Sequence, residues 1–100
     1  MEPLFHVLVA AEWPPTEDPY RPDSLSTVGF VHCSTAAQLA GTIARWFPAR
    51  SELVVLELDP AQLGAEVVWE DTAGHGEPFP HLYGPIPHRA VRRARPWAPA

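Results

Sequence analysis

The stretch GFVHCSTAAQ, residues 29–38, decides how this chain folds. Its aromatic and β-branched residues are typical of a buried strand, which we predict over residues 28–34. Thr35 then stands three positions before Gln38, the spacing of a capping box at the start of a helix. Apolar residues recur at helical intervals until a proline ends the pattern, which predicts one main helix at about residues 35–47. A strand that runs directly into a capped helix indicates the α+β class.

The rest of the chain is predicted to be mainly β-structure. Apolar, β-branched and aromatic residues cluster between turn signals in five more segments. These predicted strands cover residues 4–9, 53–58, 66–70, 79–83 and 90–97. The 53–58 segment is apolar almost throughout and should be central in a sheet, whereas the arginine-rich 90–97 segment should form an edge. Residues 14–27, rich in Pro, Asp, Ser and Thr, form a long irregular stretch of the kind that often covers a site.

Length and composition narrow the class of protein. One hundred residues predict a compact single domain over 1–100. Seven arginines and no lysine stand against twelve carboxylates, so a nucleic-acid partner is disfavoured, because phosphate binding needs a basic surface. A lone cysteine, Cys33, excludes an internal disulfide. Without a leader-like start or an apolar run that could cross a bilayer, we expect a cytoplasmic protein with no membrane partner. No pattern sets an oligomeric state.

Three histidines lie inside apolar or aromatic runs: His6, His32 and His81. Imidazole rings are usually nearer the surface, and a buried ring needs hydrogen-bond partners. Strand alternation puts His32 on one face with Phe30, and His81 on one face with Tyr83. If the strands are neighbours, the three rings converge on an aromatic-walled cleft. The alternative is that each ring holds a carbonyl or a carboxylate inside a packed sheet.

The start of the predicted helix offers a place for an anion. Ser34 and Thr35 supply two hydroxyls beside free backbone N–H groups and the positive end of the helix dipole. A phosphate, pyrophosphate or carboxylate could sit there beside His32, although most capped helices bind only water. No glycine-rich phosphate loop is present, which excludes both the P-loop and the Rossmann fingerprint.

Carboxylates and the remaining histidines are further candidates for catalysis and metal binding. Glu70, Asp71 and Glu77 flank a loop that contains two glycines. A carboxylate there could stabilise a developing positive charge, although loop acids are more often merely solvated. The histidines at 75, 81 and 88 do not form a dense ligand pattern, so no metal site is predicted.

Several phrases together resemble one family. GFVHCS, FPHLYGP and the opening FHV resemble a small bacterial family of unknown function, and the LELDP run at 56–60 and the EPF run at 77–79 fit it too. In proposed fold that family is similar to the ADP-ribosyltransferase superfamily, especially the branch with RNA 2′-phosphotransferases. The resemblance implies two small sheets with NAD in the cleft between them. It also implies a first-strand His or Arg on the nicotinamide ribose and often a late Glu on a ribose hydroxyl.

The resemblance carries over to individual positions. His6 corresponds to the ribose contact, His32 with Ser34 to the motif near the dinucleotide phosphates, and Glu77 or His81 to the third motif. The chain departs from the transferases in having its strongest third-motif residue as a histidine. The predicted catalytic residues are therefore His32, His81 and Glu77. The residues predicted to bind NAD are His6, His32, Ser34, Thr35 and Tyr83.

Two functions remain open from the sequence. The first is an NAD-dependent enzyme with ADP-ribosyltransferase-like or phosphotransferase-like activity, in which Glu77 or Glu70 stabilises the cation formed when the glycosidic bond breaks. The alternative is a noncatalytic module that binds a nucleotide or a phosphorylated metabolite. Both place a small-molecule nucleotide in the histidine-lined cleft.

Overall fold

In the computed structural model, residues 2–47, 52–72, 74 and 76–97 are described, and over these ranges the chain forms six strands and two α-helices. The strands are β1 Leu4–Val9, β2 Val31–His32, β3 Leu53–Leu58, β4 Val67–Glu70, β5 Phe79–Leu82 and β6 Val91–Pro96. The helices are α1 Ser24–Thr27 and α2 Ala36–Trp46. Single 3-10 turns lie at Ala10–Glu12, Pro60–Gln62 and His88–Ala90.

The strands form two antiparallel sheets of three strands each, in the orders β1-β3-β6 and β2-β5-β4. The 53–58 segment is the central strand of the first sheet and the arginine-rich strand β6 is its edge, as predicted. Phe5 and Ser34 join the sheets through two backbone hydrogen bonds of 2.8 Å, each N–H donating to the other residue's carbonyl. The α+β class with two small sheets and one main helix is confirmed.

Strand β2 is shorter than the predicted strand over residues 28–34. The backbone N–H groups of Val28 and Gly29 both donate to the Ser24 carbonyl and so close helix α1. Gly29 takes a φ of 89°, a conformation that glycine adopts without steric cost. The extended backbone therefore begins only after it. Beyond β2, the Cys33 N–H still donates to Pro80, whereas the next residue turns to β1.

Helix α2 begins with the predicted capping box. The Thr35 hydroxyl accepts from the Gln38 N–H at 3.2 Å, and the Gln38 side-chain oxygen accepts from the Thr35 N–H at 3.1 Å. This reciprocal pair satisfies two of the otherwise free donors at the helix start. Leu39 and Ile43, four residues apart, are buried against the first sheet together with Val55. Neither helix of the described residues is long and apolar enough to cross a membrane.

Two apolar clusters hold these layers together. One joins residues of both sheets, among them Leu8, Leu56, Val31 and Leu82. The other packs α2 on the opposite face of the first sheet. The irregular stretch before α1 is fixed across the first cluster at Tyr20, whose N–H and carbonyl pair with Ile86 at 2.8 and 2.9 Å. Burial of apolar area on both faces of the first sheet is the main stabilising contribution in such a domain.

Candidate functional site

One face of the second sheet collects histidine, aromatic and acidic side chains. His32 on β2 lies opposite His81 on β5, and Val68 on β4 lies opposite the same His81. Residues two apart on a strand share a face. Phe30, Tyr83 and Glu70 each lie two positions from one of these residues and therefore share their face. We define the His32 face as Phe30, His32, Glu70, His81 and Tyr83.

Glu70 is the polar centre of the His32 face. The His81 Nδ1–H donates to Glu70 Oε1 at 2.8 Å, and the Tyr83 hydroxyl donates to the same oxygen at 2.7 Å. The bond from Tyr83 and then the bond from His81 hold the pKa of Glu70 below its usual range. The hydrogen bond between Tyr83 and Glu70 also raises the pKa of Tyr83. Glu70 is therefore a carboxylate at neutral pH, and its second oxygen, Oε2, takes part in neither bond.

Aromatic packing separates the two histidines into a covered ring and an open one. Phe30 stacks on His81 with 4.0 Å between ring centroids and 19° between planes. The His32 ring meets His81 edge-on at 5.6 Å. His81 is only 2% exposed, whereas His32 and Tyr83 are exposed. A ligand can therefore reach His32, Tyr83 and Glu70, and His81 acts from beneath them.

His32 is poised as a neutral base. Desolvation by the surrounding protein atoms, and then the nearby His81, lower the pKa of His32 below 6.5. At neutral pH its ring therefore carries one N–H donor and one free acceptor nitrogen. An exposed neutral imidazole on the same face as an ionised carboxylate is an arrangement suited to general acid–base chemistry.

His6 lies close to His32 but not on the His32 face. Its Nδ1 donates to the backbone carbonyl of His32 at 2.8 Å, since a carbonyl oxygen can only accept. The ring is buried, with Tyr20 at 6.0 Å between centroids. The structure thus brings His32 and His81 together on one surface and places His6 against the backbone of β2. The predicted contact of His6 with a ribose stays a prediction.

The residues predicted at the helix start are engaged in the structure of the helix itself. The Ser34 and Thr42 hydroxyls share a hydrogen bond of 2.8 Å, and Thr35 caps α2. Glu77 Oε2 accepts from the Gln38 side-chain amide at 3.1 Å, which places this carboxylate at the beginning of α2. The roles predicted for Ser34 and Thr35 in phosphate binding, and for Glu77 in catalysis, stay predictions.

No set of three His, Cys, Asp or Glu side chains within residues 2–47, 52–72, 74 and 76–97 is placed to hold a metal ion. Of the other two histidines in the C-terminal part of the chain, His75 lies outside the described residues. His88 packs its ring against Trp13 at 5.7 Å.

Sequence reasoning did not identify the link between Glu70 and His81. The two residues are eleven positions apart, and they meet because β4 pairs with β5 across the loop that contains the two glycines. Clean alternation over residues 66–70 was the available signal. Combined with the short loop to the next strand, it predicts a hairpin in which Glu70 and His81 share a face.

Burial of His6 makes folding depend on pH. Desolvation, as the largest cause, lowers the pKa of His6 from 6.5 to about 4. Between these values the unfolded chain binds a proton that the folded chain does not, so stability is fully present above pH 6.5 and falls as the pH drops towards 4. Between pH 7 and pH 4 we expect His6 to lower the free energy of unfolding by up to about 3 kcal/mol. Urea unfolding of the protein and of His6→Gln at pH 7, 5 and 4 measures it. An equally steep loss in the variant would contradict the assignment to His6.

Comparison with known proteins agrees with the fold. The crystal structure of protein CC0527 from Caulobacter crescentus is similar to this chain, with 32% identity and a TM-score of 0.77 over 94% of this chain and 84% of that chain. The solution NMR structure of CC0527 gives 32% identity and a TM-score of 0.78 over 95% and 84%. No curated protein matches the chain. A family profile described as a protein of unknown function, DUF952, matches residues 8–94. Since that match covers most of the chain, the protein belongs to the DUF952 family.

Proposed function

We propose that this protein binds NAD at the His32 face and cleaves the bond between nicotinamide and ribose, as an ADP-ribosyltransferase-like enzyme. The observation that carries the proposal is the ionised carboxylate of Glu70. Hydrogen bonds from Tyr83 and His81 hold it in place, and the exposed His32 lies on the same face. A fixed negative charge and a neutral base on one face match what cleavage of a glycosidic bond requires.

The side chains of this face fit the groups of such a ligand. Tyr83, which is 42% exposed, offers aromatic surface against which a flat ring can stack, and the buried Phe30 supports it from 5.5 Å between ring centroids. Glu70 has Oε2 left to accept from a sugar hydroxyl. The start of α2 at Thr35, where the helix dipole is positive, is the place we propose for the pyrophosphate.

Each residue then has a defined task. When bound, NAD supplies an ADP-ribosyl group whose bond to nicotinamide breaks with the electron pair leaving on nicotinamide. Glu70 stabilises the positive charge that develops on the sugar. His32 takes the proton from the water or other acceptor that replaces nicotinamide. His81 and His6 position these groups, because one holds the Glu70 carboxylate and the other holds the His32 backbone.

A noncatalytic binding module is the second candidate, and one observation favours it. The third-motif position that holds glutamate in many transferases is here His81, whose ring is covered by Phe30. In this version the His32 face binds a nucleotide or a phosphorylated metabolite without cleaving it.

The proposed location is the cytoplasm. Cys33 is buried and unpaired, and burial raises its pKa to about 12, so the thiol is inert. A free thiol suits the reducing conditions inside a cell.

Calorimetry with NAD, followed by chromatographic detection of nicotinamide, tests both versions. We expect the unmodified protein to bind NAD and to release nicotinamide, and His32→Ala to weaken binding about tenfold or more. Trp46→Ala removes an exposed ring of α2 outside the His32 face and serves as the control. Binding without release supports the noncatalytic module. Absence of NAD binding by the unmodified protein rules out the enzyme and a module that binds this nucleotide, and unchanged binding by His32→Ala means that the ligand sits elsewhere.

A further inference from the structure

The two sheets end in edge strands of opposite character. Strand β6, the edge of the first sheet, carries three arginines and ends at Pro96. Charged residues and proline are the usual means by which edge strands avoid pairing with another chain. Strand β4, the edge of the second sheet, runs Val67–Glu70 and contains neither proline nor a basic residue. The one charged residue of β4, Glu70, is bonded to His81 and Tyr83 on one face of the sheet, so the outer edge lacks the proline and the basic residues that protect β6.

The hydrogen-bond pattern shows which backbone groups of β4 point outward. The Tyr83 N–H donates to the Glu66 carbonyl at 2.8 Å, which marks Glu66 as a position bonded to β5. Bonded and non-bonded positions alternate along an antiparallel strand, so Val68 is bonded to β5 as well. Val67 and Trp69 therefore direct their N–H and C=O groups away from the sheet. These groups are free to pair with an added strand.

The side chains along this edge differ between its two faces. Trp69, opposite Pro80 in the register, is 53% exposed, although indole rings are highly buried on average. On the other face, Glu66 and Glu70 lie on either side of Val68, and both act on Tyr83 electrostatically. The edge thus presents an aromatic ring on one side and two carboxylates on the other, in a chain of net charge -5.

We propose that the free edge of β4 binds an extended peptide in which basic and apolar residues alternate, adding it as a fourth strand to the β2-β5-β4 sheet. Side chains of an added strand point alternately to the two faces. Its basic side chains lie near Glu66 and Glu70, and its apolar side chains pack on Trp69. Backbone pairing supplies affinity and the alternating contacts supply selectivity, as in other cases of strand addition. Strand addition uses the free edge of β4 and does not require that NAD binds, although Glu70 belongs to both proposed sites.

A fluorescein-labelled RVRVRV hexapeptide is the probe, and the same peptide with N-methyl groups on its valines, which lie opposite Val67 and Trp69 in an antiparallel ladder, is the control. Both peptides carry equal charge, but the methylated one cannot complete the ladder. We expect saturable fluorescence polarisation that is at least about tenfold weaker for the methylated peptide. We also expect the amides of Val67 and Trp69 to exchange at least about tenfold more slowly with deuterium when the first peptide is bound. Equal affinity for the two peptides, or unchanged exchange, overturns the proposal.

Two tryptophan variants provide a matched pair. Trp69→Lys puts a cation on the proposed edge, whereas Trp46→Lys makes the same change at a ring of α2 that is 66% exposed. We expect binding of the hexapeptide to weaken about tenfold in the first variant and to be unchanged in the second. Circular dichroism verifies that both variants fold. Equal binding by the two variants overturns the proposal. So does protection of the β4 amides that rises with protein concentration in the absence of peptide, because a second copy of the chain would then occupy the edge.

Discussion

Replacing Glu70 by glutamine is expected to slow nicotinamide release from NAD by on the order of a hundredfold or more. The amide oxygen of glutamine can still accept from Tyr83, so the geometry of the His32 face is retained. What is lost is the negative charge that would stabilise the cation on the sugar. The effect should therefore appear in kcat while binding of NAD changes little, because the charge matters most in the transition state.

Two other carboxylates make this result interpretable. Glu17→Gln removes a charge from an exposed position before α1 and is the control for net charge. Glu77→Gln tests the carboxylate that was assigned from the sequence and that Gln38 holds at the start of α2. If Glu77→Gln abolishes release and Glu70→Gln does not, the catalytic carboxylate is Glu77 and our assignment is wrong. Thermal unfolding of all three variants controls for stability.

Gly84→Ala is expected to destabilise the fold by roughly 1–3 kcal/mol, the usual cost of overpacking. A methyl group at Gly84 would lie 2.6 Å from the Cβ of Ala65, which is closer than non-bonded carbon atoms approach each other in proteins. Ala65 has no rotatable side chain that could move aside, so the strand ends must separate. Urea unfolding measures the loss, and its origin is purely steric, because the backbone of Gly84 is not in the left-handed region.

The same contact supplies a rescue. Ala65→Gly combined with Gly84→Ala removes the clash, so the double variant should recover much of the loss, apart from the backbone entropy added by the new glycine. Gly41→Ala is the control, because a methyl group there meets nothing within 4 Å and alanine favours the helix. A Gly84→Ala protein as stable as the unmodified one would contradict the steric argument.

Local patterns were sufficient to predict most of the elements. Strands β1 and β3 have the bounds predicted for them, and α2 begins at the predicted cap. Apolar periodicity and a capping box depend only on residues a few positions apart. Local patterns did not predict that β2 is short. Its start depends on Gly29, which closes a short helix that propensity alone does not indicate.

The candidate site was predicted less completely because strand pairing is not encoded locally. The family resemblance assigned the third motif to Glu77 or His81, and Glu77 was the carboxylate predicted to be catalytic. In the fold, the carboxylate bonded to His81 is that of Glu70, because β4 pairs with β5. Strand alternation likewise grouped the three histidines, but His6 belongs to the other sheet and reaches only the backbone of His32.

The order of strands within the sheets has a consequence for synthesis of the protein. Leu4 pairs with Leu58, and His32 pairs with His81, so neither of the first two strands finds its ladder partner within residues 2–47. As the chain leaves the ribosome, β1 emerges first and must wait for β3 with its apolar side chains uncovered. A nascent segment of this kind is prone to aggregate until its partner strand has been synthesised.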